Sequence, residues 1–419
     1  MHSATFLRVL LFLGIFLLID LYVFAAVKTV FTAQRTRLIA SWVYWGLTAA
    51  FVLFAFYVFF FAPMLDGPSS PSVRILMGAF VFLYIPKLVI VLFIGAEDLY
   101  RLLRSVVVGI YKATGADGAS GAVFFESRRK FISQLAVLAA SIPAMGIVYG
   151  IVKGRYNYKV HRIDLAFKDL PQAFHGMTIT QISDLHVGSF SDREEVQHAI
   201  DMINEQRSDL VLFTGDLVNN RAEEMEPWVE MVSAIMAPMG KYSILGNHDY
   251  GDYVDWDSRE AKQQNMEHLY RMHGRIGFKL LRNQTQRLEK DGQHIELLGM
   301  ENWGRGFAQY GDLRKTMIGT EKDSFKILLS HDPSHWEEQV MNHPTQIHLT
   351  LAGHTHGAQF GLEIPGIKFS PVQLRYPRWA GLYTENNRHL YVNRGLGFIG
   401  FPGRVGIWPE ITVITLQKA

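Results

Sequence analysis

Five short motifs dominate the C-terminal two-thirds of this 419-residue chain: Asp184-Leu185-His186, Gly215-Asp216-Leu217, Gly246-Asn247-His248-Asp249, Ser330-His331-Asp332 and Gly353-His354-Thr355-His356. Together they supply carboxylates, imidazoles and an amide, donors that suit Mn, Fe, Zn, Mg or Ca. Asp-x-His puts two such donors on alternate residues leaving a strand, so both can turn toward one ion. Glycines ahead of Asp216, Asn247 and His354 let the backbone turn sharply and run close to a site. There is no cysteine, which removes disulfides, thiolate nucleophiles and every sulfur-ligated zinc site. A single Gly-Asp is commonplace in a chain of this length. Five motifs in order, each after a strand-like run, are not.

The elements that must position these residues follow from apolar periodicity. Strands are predicted at Thr178–Ser183, Leu210–Thr214, Tyr242–Leu245, Ile295–Gly299, Lys326–Leu329, Ile347–Leu351, His389–Val392 and Ile411–Leu416. Helices are predicted at Asp192–Gln206, Pro227–Met236 and Arg259–His273, the first opened by a capping box, Ser191-Asp192-Arg193-Glu194. Strands alternating with helices, then strands in succession, predict an α/β sandwich with a mixed sheet. Ligand groups converge where strands end on one edge of such a sheet.

In this order the motifs resemble those of the calcineurin-like metallophosphoesterases, over roughly residues 175–419. The tail, Asn393-Arg394-Gly395-Leu396-Gly397 with Pro402-Gly403-Arg404 and Pro409-Glu410-Ile411, is similar to the bacterial membrane-anchored branch. The resemblance implies a four-layer α/β/β/α sandwich and a binuclear centre of two divalent ions, Mn, Fe or Zn, with a bridging hydroxide as nucleophile. It assigns Asp184, His186, Asp216 and His356 to one ion, and Asp216, Asn247, His331 and His354 to the other, with Asp216 bridging. The physics agrees: two dications about 3.5–4 Å apart clamp a phosphoryl group and stabilise its attacking and leaving oxygens. The neutral amide of Asn247 leaves the centre positive for an anionic substrate. His248 is the implied catalytic residue, donating to the leaving or phosphoryl oxygen, and Asp249 the carboxylate that orients it. Arg394 and Arg404 are candidate phosphate contacts, since a guanidinium pairs bidentately with that anion. Trp303, Arg305, Phe307 and Tyr310 are candidates to line a pocket for a lipid or sugar group.

The first 155 residues differ in texture. Four apolar stretches, Leu7–Val27, Leu38–Phe61, Val73–Gly95 and Phe131–Val152, reach the roughly 20 residues that a bilayer crossing needs. Leu38–Phe61 is apolar on every face, unlike an amphipathic core helix. The expected organisation is a four-helix transmembrane region over 1–155 and a phosphoesterase domain over 156–419, with a basic linker at Lys153–Arg162. Apolar residues make up 49% and charged residues 19%, while mean hydropathy is only +0.08; a greasy segment is averaged with an ordinary soluble one. A net charge of +2 gives no concentrated basic face, so nucleic acid is not an expected partner. The expected partner is a phosphate-ester substrate, lipid-linked esters included. The competing reading is a non-catalytic membrane regulator or transport subunit that keeps the fold for binding.

Nine Lys and Arg flank one side of the spans and six the other, which favours a catalytic domain outside the cytoplasm, on a bacterial inner membrane. Arg128-Arg129 ahead of the fourth span reads like a twin-arginine export signal. Asp20 and Lys87 each lie three residues past the midpoint of their spans. At matching depth they are expected to face each other, since a lone charge there is costly.

Overall fold

The computed structural model describes residues 2–61, 71–114 and 126–419. The chain divides into two compact units, one ending at Tyr149 and one running from Gly150 to Ala419.

The second unit is built on two six-stranded sheets. One contains β1 (Lys159–Phe167), β2 (Thr178–Ile182), β3 (Leu210–Phe213), β4 (Lys241–Ser243), β5 (Lys279–Leu280) and a much later strand, β14 (Glu410–Lys418), in the order β1-β14-β2-β3-β4-β5. The other contains β6 (Gln284–Lys290), β7 (Gln293–Gly299), β8 (Lys326–Leu329), β9 (Leu349–Ala352), β12 (Gly381–Glu385) and β13 (Arg388–Val392), in the order β12-β13-β9-β8-β7-β6. Between β9 and β12 in the chain, β10 (Leu362–Ile364) and β11 (Ile367–Phe369) form a separate hairpin. The inner faces bury Ile179, Leu212 and Ile414 against Ile295, Ile327 and Leu351. Outside the first sheet, Val211 and Phe213 pack on helices Arg193–Glu205 and Arg259–Arg275 through Ile200 and Leu269. Outside the second, Leu298, Leu328 and Val392 pack on Leu313 and Trp336. The result is the expected α/β/β/α layering.

Local chemistry explains the helices. Val196, Ala199, Ile200 and Ile203 recur at helical spacing and are the buried residues of Arg193–Glu205. Its cap is Asp192 rather than Ser191, since the Asp192 carboxylate accepts from the N–H groups of Glu194 and Glu195. The segment around Pro227 winds tightly over Ala222–Trp228 before a short helix, Val229–Ser233. The expected linker is corrected too: from Lys159 it is β1, a charge-bearing edge strand paired in parallel with β14. Charge at Lys159, Arg162 and Asp164 hid its strand character.

The N-terminal region contains helices His2–Val30, Gln34–Phe60, Pro71–Ala113 and Glu126–Val152, each long and apolar enough to cross a membrane, and the last runs three residues past the end of the first unit. The third continues well past the expected end at Gly95. Glu97 and Arg101, one turn apart, pair at 2.7 Å in that extension. Arg129 reaches Asp98 at 2.8 Å and Arg128 lies 3.9 Å from Glu97, so both arginines of the pair read as an export signal lie beside the acidic residues of that extension.

Asp20 and Lys87 do meet. Both are buried and ion-paired. The Asp20 carboxylate also accepts from the hydroxyls of Tyr44 at 2.9 Å, Tyr84 at 3.0 Å and Thr48 at 3.4 Å. The Lys87 ammonium lies 4.5 Å from the Tyr84 ring centre, a cation–π contact. One carboxylate thereby joins three helices. Asp20→Ala strands a buried ammonium and is expected to cost about 3–5 kcal/mol. Asp20→Leu with Lys87→Met should recover most of that loss. Thermal unfolding in detergent checks both, and a single variant as stable as the parent would show that the pair holds nothing.

Candidate metal centre

The five motifs occupy five loops at the carboxyl ends of parallel strands. Asp184 and His186 follow β2, Asp216 follows β3, and Asn247, His248 and Asp249 follow β4; His331 follows β8, and His354 and His356 follow β9. Three loops come from one sheet and two from the other, and two glycines let them close up, Gly353 across the sheets and Gly246 between neighbouring loops of the first sheet. A Cβ on Gly353 would lie 1.9 Å from Ser183 Oγ, and one on Gly246 would lie 2.2 Å from Asp216 Oδ1. Asp184, His186, Asp216, His354 and His356 all hold positive φ, between 46° and 71°, the left-handed region that non-glycine residues enter at a cost of about 1–3 kcal/mol each. Such clustered strain marks a functional loop edge.

The donor atoms converge in two groups, Asp184 with His186 and His356, and Asp216 with His331 and His354, each within 4.8 Å. His186 Nε2 and His356 Nε2 are 3.1 Å apart. His331 Nε2 lies 3.2 Å from Asn247 Oδ1 and 3.3 Å from His354 Nδ1. Asp216 Oδ2 stands 3.4 Å from His186 Nε2 and 3.2 Å from His331 Nε2. Three of the four rings have their other nitrogen occupied: His331 Nδ1 donates to the Thr214 carbonyl at 2.7 Å. His354 Nε2 meets the Tyr376 hydroxyl at 2.9 Å and Asp332 at 3.4 Å, and His356 Nδ1 meets Arg404 at 3.1 Å. Two carboxylates, four imidazoles and an amide oxygen crowd one buried volume with few protons to share among them, and that surplus of lone pairs fits divalent metal ions.

Burial opposes the charge on His331, but Asp216 beside it overrides that and lifts the imidazole to about 10. Burial pushes His186, His354 and His356 down, and keeps them neutral near pH 7. Burial would raise Asp184 and Asp216, yet His356 pulls the first and His331 the second well below the usual carboxylate range.

Two expected roles are corrected. Asp249 does not orient His248. Its buried carboxylate accepts four backbone N–H groups: those of Asp216 at 2.9 Å, Leu217 at 2.8 Å, Val218 at 3.2 Å and Gly246 at 2.9 Å. Burial and the charge of Asp216 push it up, to about 7, while four N–H donors demand the ionised form. His248 is instead set by Nδ1 against the Asn219 carbonyl at 2.9 Å and by Tyr253, whose ring centre lies 4.6 Å away. Glu224 fixes that carbonyl by accepting the N–H groups of Asn219, Asn220 and Arg221.

Nor are Arg394 and Arg404 placed as phosphate contacts. Arg394 is buried and bound to Glu363, at 2.6 Å and 3.0 Å, and to Glu410. Arg404 is fully buried and holds the carbonyls of Arg394, Gly395 and Gly397. The aromatic loop also disperses. Phe307 packs edge-on against His354, with ring centres 4.9 Å apart, but Tyr310 stacks on Tyr250, Trp303 lies tilted against His335, and Arg305 pairs with Glu338. Tyr253, Tyr376 and Glu224 carried no sequence signal, because only the fold brings them to the site; Asp332 could have been noticed inside its Ser-His-Asp motif.

Fold and donor set together define a phosphoesterase carried on membrane-spanning helices. The profile of the calcineurin-like phosphoesterase family matches residues 177–358. That of a probable calcineurin-like phosphoesterase transmembrane domain matches residues 6–155. The chain is similar to the uncharacterized metallophosphoesterase YkuE of Bacillus subtilis, 31% identical over 298 residues that cover 70% of this chain and 98% of that protein. It is also similar to the phosphodiesterase YaeI of Escherichia coli, 27% identical over 69% of this chain and 99% of that one. A third relative is the UDP-2,3-diacylglucosamine pyrophosphatase LpxG of Chlamydia trachomatis, 30% identical over 55% of this chain and 81% of that one. The chain belongs to the calcineurin-like metallophosphoesterase family, and it is a membrane-borne hydrolase acting on phosphate esters.

Of the four imidazoles in the two donor groups, His331 is the one lifted to hold a proton at pH 7, and a dication bound there would have to displace it. Between pH 7 and 9, below the His331 value of about 10, apparent metal affinity should therefore tighten by about tenfold per unit of pH. Calorimetry in buffers of different ionisation enthalpy counts the released proton; a flat affinity across that range contradicts the assignment.

Proposed function

We propose that the site binds two divalent ions, Mn, Fe or Zn, and hydrolyses phosphate esters at a membrane, lipid-linked esters among them. The observation that carries the two-ion reading is Asp216 Oδ2, one oxygen within 3.4 Å of His186 and 3.2 Å of His331 and so shared by both donor groups. Asp184, His186 and His356 would hold one ion with it, and Asn247, His331 and His354 the other. Bound there, the pair supplies positive charge for phosphoryl oxygens and acidifies water at neutral pH.

The remaining work falls to the chain. His248 stands at the centre, its ring 5.0 Å from that of His186. With Nδ1–H given to the Asn219 carbonyl, a further proton on Nε2 makes an imidazolium that donates to the leaving oxygen. Phe307 and Tyr376 wall the His354 side with one apolar face and one hydroxyl. His248→Asn is expected to lower kcat on bis(p-nitrophenyl) phosphate by about 10²–10⁴-fold with metal content kept. Asp216→Ala should lose bound metal and activity together. Elemental analysis beside the assay separates the two, and full activity in either variant ends the proposal.

The proposal also puts the catalytic unit outside the cytoplasm of a bacterial inner membrane, on the asymmetry of Lys and Arg around the spans. Alkaline phosphatase fused at the C-terminus should be active. Bright ordinary green fluorescent protein at the same position would invert the topology.

A further inference from the structure

The β10–β11 hairpin is amphipathic in the wrong sense for a soluble surface. Its register pairs Leu362 with Phe369, Glu363 with Lys368 and Ile364 with Ile367. Side chains alternate along each strand, so Leu362, Ile364, Ile367 and Phe369 share one face and Glu363 and Lys368 the other. The apolar four are 44–51% exposed, and Leu374, just beyond, is 91% exposed beside exposed Arg375. The charged pair is turned toward the protein. Glu363 binds Arg394 through two contacts, at 2.6 Å and 3.0 Å, and Arg394 in turn binds buried Glu410. Lys368 donates to the Ala380 carbonyl and lies 4.9 Å from the Trp379 ring centre.

This arrangement is fixed. A one-residue slip would bury the apolar face but tear Glu363 from Arg394. A two-stranded ribbon gains little stability by itself, so its outward apolar row is not what holds it; the ion pair behind it is. Pro365-Gly366, with Gly366 at φ 82°, closes the tip tightly. The hairpin also springs from the metal centre. It begins six residues after His356, Ser370 at its end donates to the Gly357 carbonyl at 2.7 Å, and Tyr376 returns to His354 at 2.9 Å.

We propose that this hairpin is a membrane-seating element, which lays Leu362, Ile364, Ile367 and Phe369 into the lipid interface and sets the mouth of the metal centre at the bilayer. The occupant is lipid because the same chain carries four helices long and apolar enough to span a membrane, so a bilayer is always at hand. An exposed Leu-Arg pair beside the row suits the boundary between acyl chains and anionic headgroups. Delivery of a lipid-anchored ester to the centre rests on the function proposed above; insertion of the hairpin does not.

The chain has no cysteine, so Ile367→Cys in the full-length protein takes a single environment-sensitive fluorophore. The probe is a nanodisc of phosphatidylethanolamine and phosphatidylglycerol, with or without doxyl-labelled acyl chains. The label at 367 should be quenched about twofold or more by the doxyl lipid, whereas one at Ile318→Cys, a solitary exposed apolar residue elsewhere on the unit, should not. An unquenched label at 367 overturns the proposal, and so does shielding of the label that persists without lipid together with 367–367 disulfides in the unlabelled Ile367→Cys protein, since the face then covers a second copy. Ile364→Asn with Ile367→Asn should keep hydrolysis of the soluble diester and lose about tenfold on a phospholipid diester in the same nanodisc. Equal loss on both substrates makes the hairpin merely structural. A parent enzyme inactive on every lipid ester leaves the quenching result standing and counts only against the substrate reading.

Discussion

The active edge depends on one buried carboxylate that is itself no ligand candidate. Asp249 collects N–H groups from the loop after β3 and from the loop after β4, and so fixes Asp216 and Asn247 relative to each other. A carboxylate is the one side chain that can accept from four donors at once, which an imidazole or amide could not do. Asp216 Oδ1 in turn accepts the N–H of His248 at 2.8 Å. The position of His248 therefore descends from the same clamp.

The candidate site was largely legible in the sequence because its chemistry is local. Asp-x-His and His-x-His sit within three residues, and the strands before them are short runs of buried apolar residues. Such signals survive without knowledge of the fold. Asp249 shows where legibility stops. Beside His248 in sequence it reads as the partner of that ring, but the turn points it backward into the loops. Arg394 fails the same way: its partners, Glu363 and Glu410, lie 31 and 16 residues away, and no spacing rule announces them. Among elements, the central strands were readable and the edge strands β1, β5, β6 and β12 were not. An edge strand bonds on one side and tolerates polar residues, so the apolar pattern that betrays a strand is diluted. The Asp20–Lys87 pair was readable for the opposite reason, because hydrocarbon leaves a charge few places to go.

Strain and burial support each other in this centre. Five of the seven donor candidates lie in left-handed backbone, and a flexible loop would relax out of it. What holds them is the close contact of two sheets, felt at Gly353 against Ser183. The inter-sheet core is thus more than a source of stability, since its tight fit is the condition under which lone pairs from both sheets share one small volume.

The strand order carries a consequence for biosynthesis. β14 is made after every other strand, yet it lies between β1 and β2, and β1 has no other neighbour in the sheet. While the chain is still being translated, β1 has nothing to join and β2 shows a bare edge. Glu410, the anchor of Arg394, is missing as well. The membrane helices leave the ribosome long before this, so the nascent protein is tethered first and waits with an open sheet. Closure is a late, single event, and a chain stopped a few residues short of β14 would be a docked but unfinished protein, recognisable to quality-control proteases by that unpaired edge.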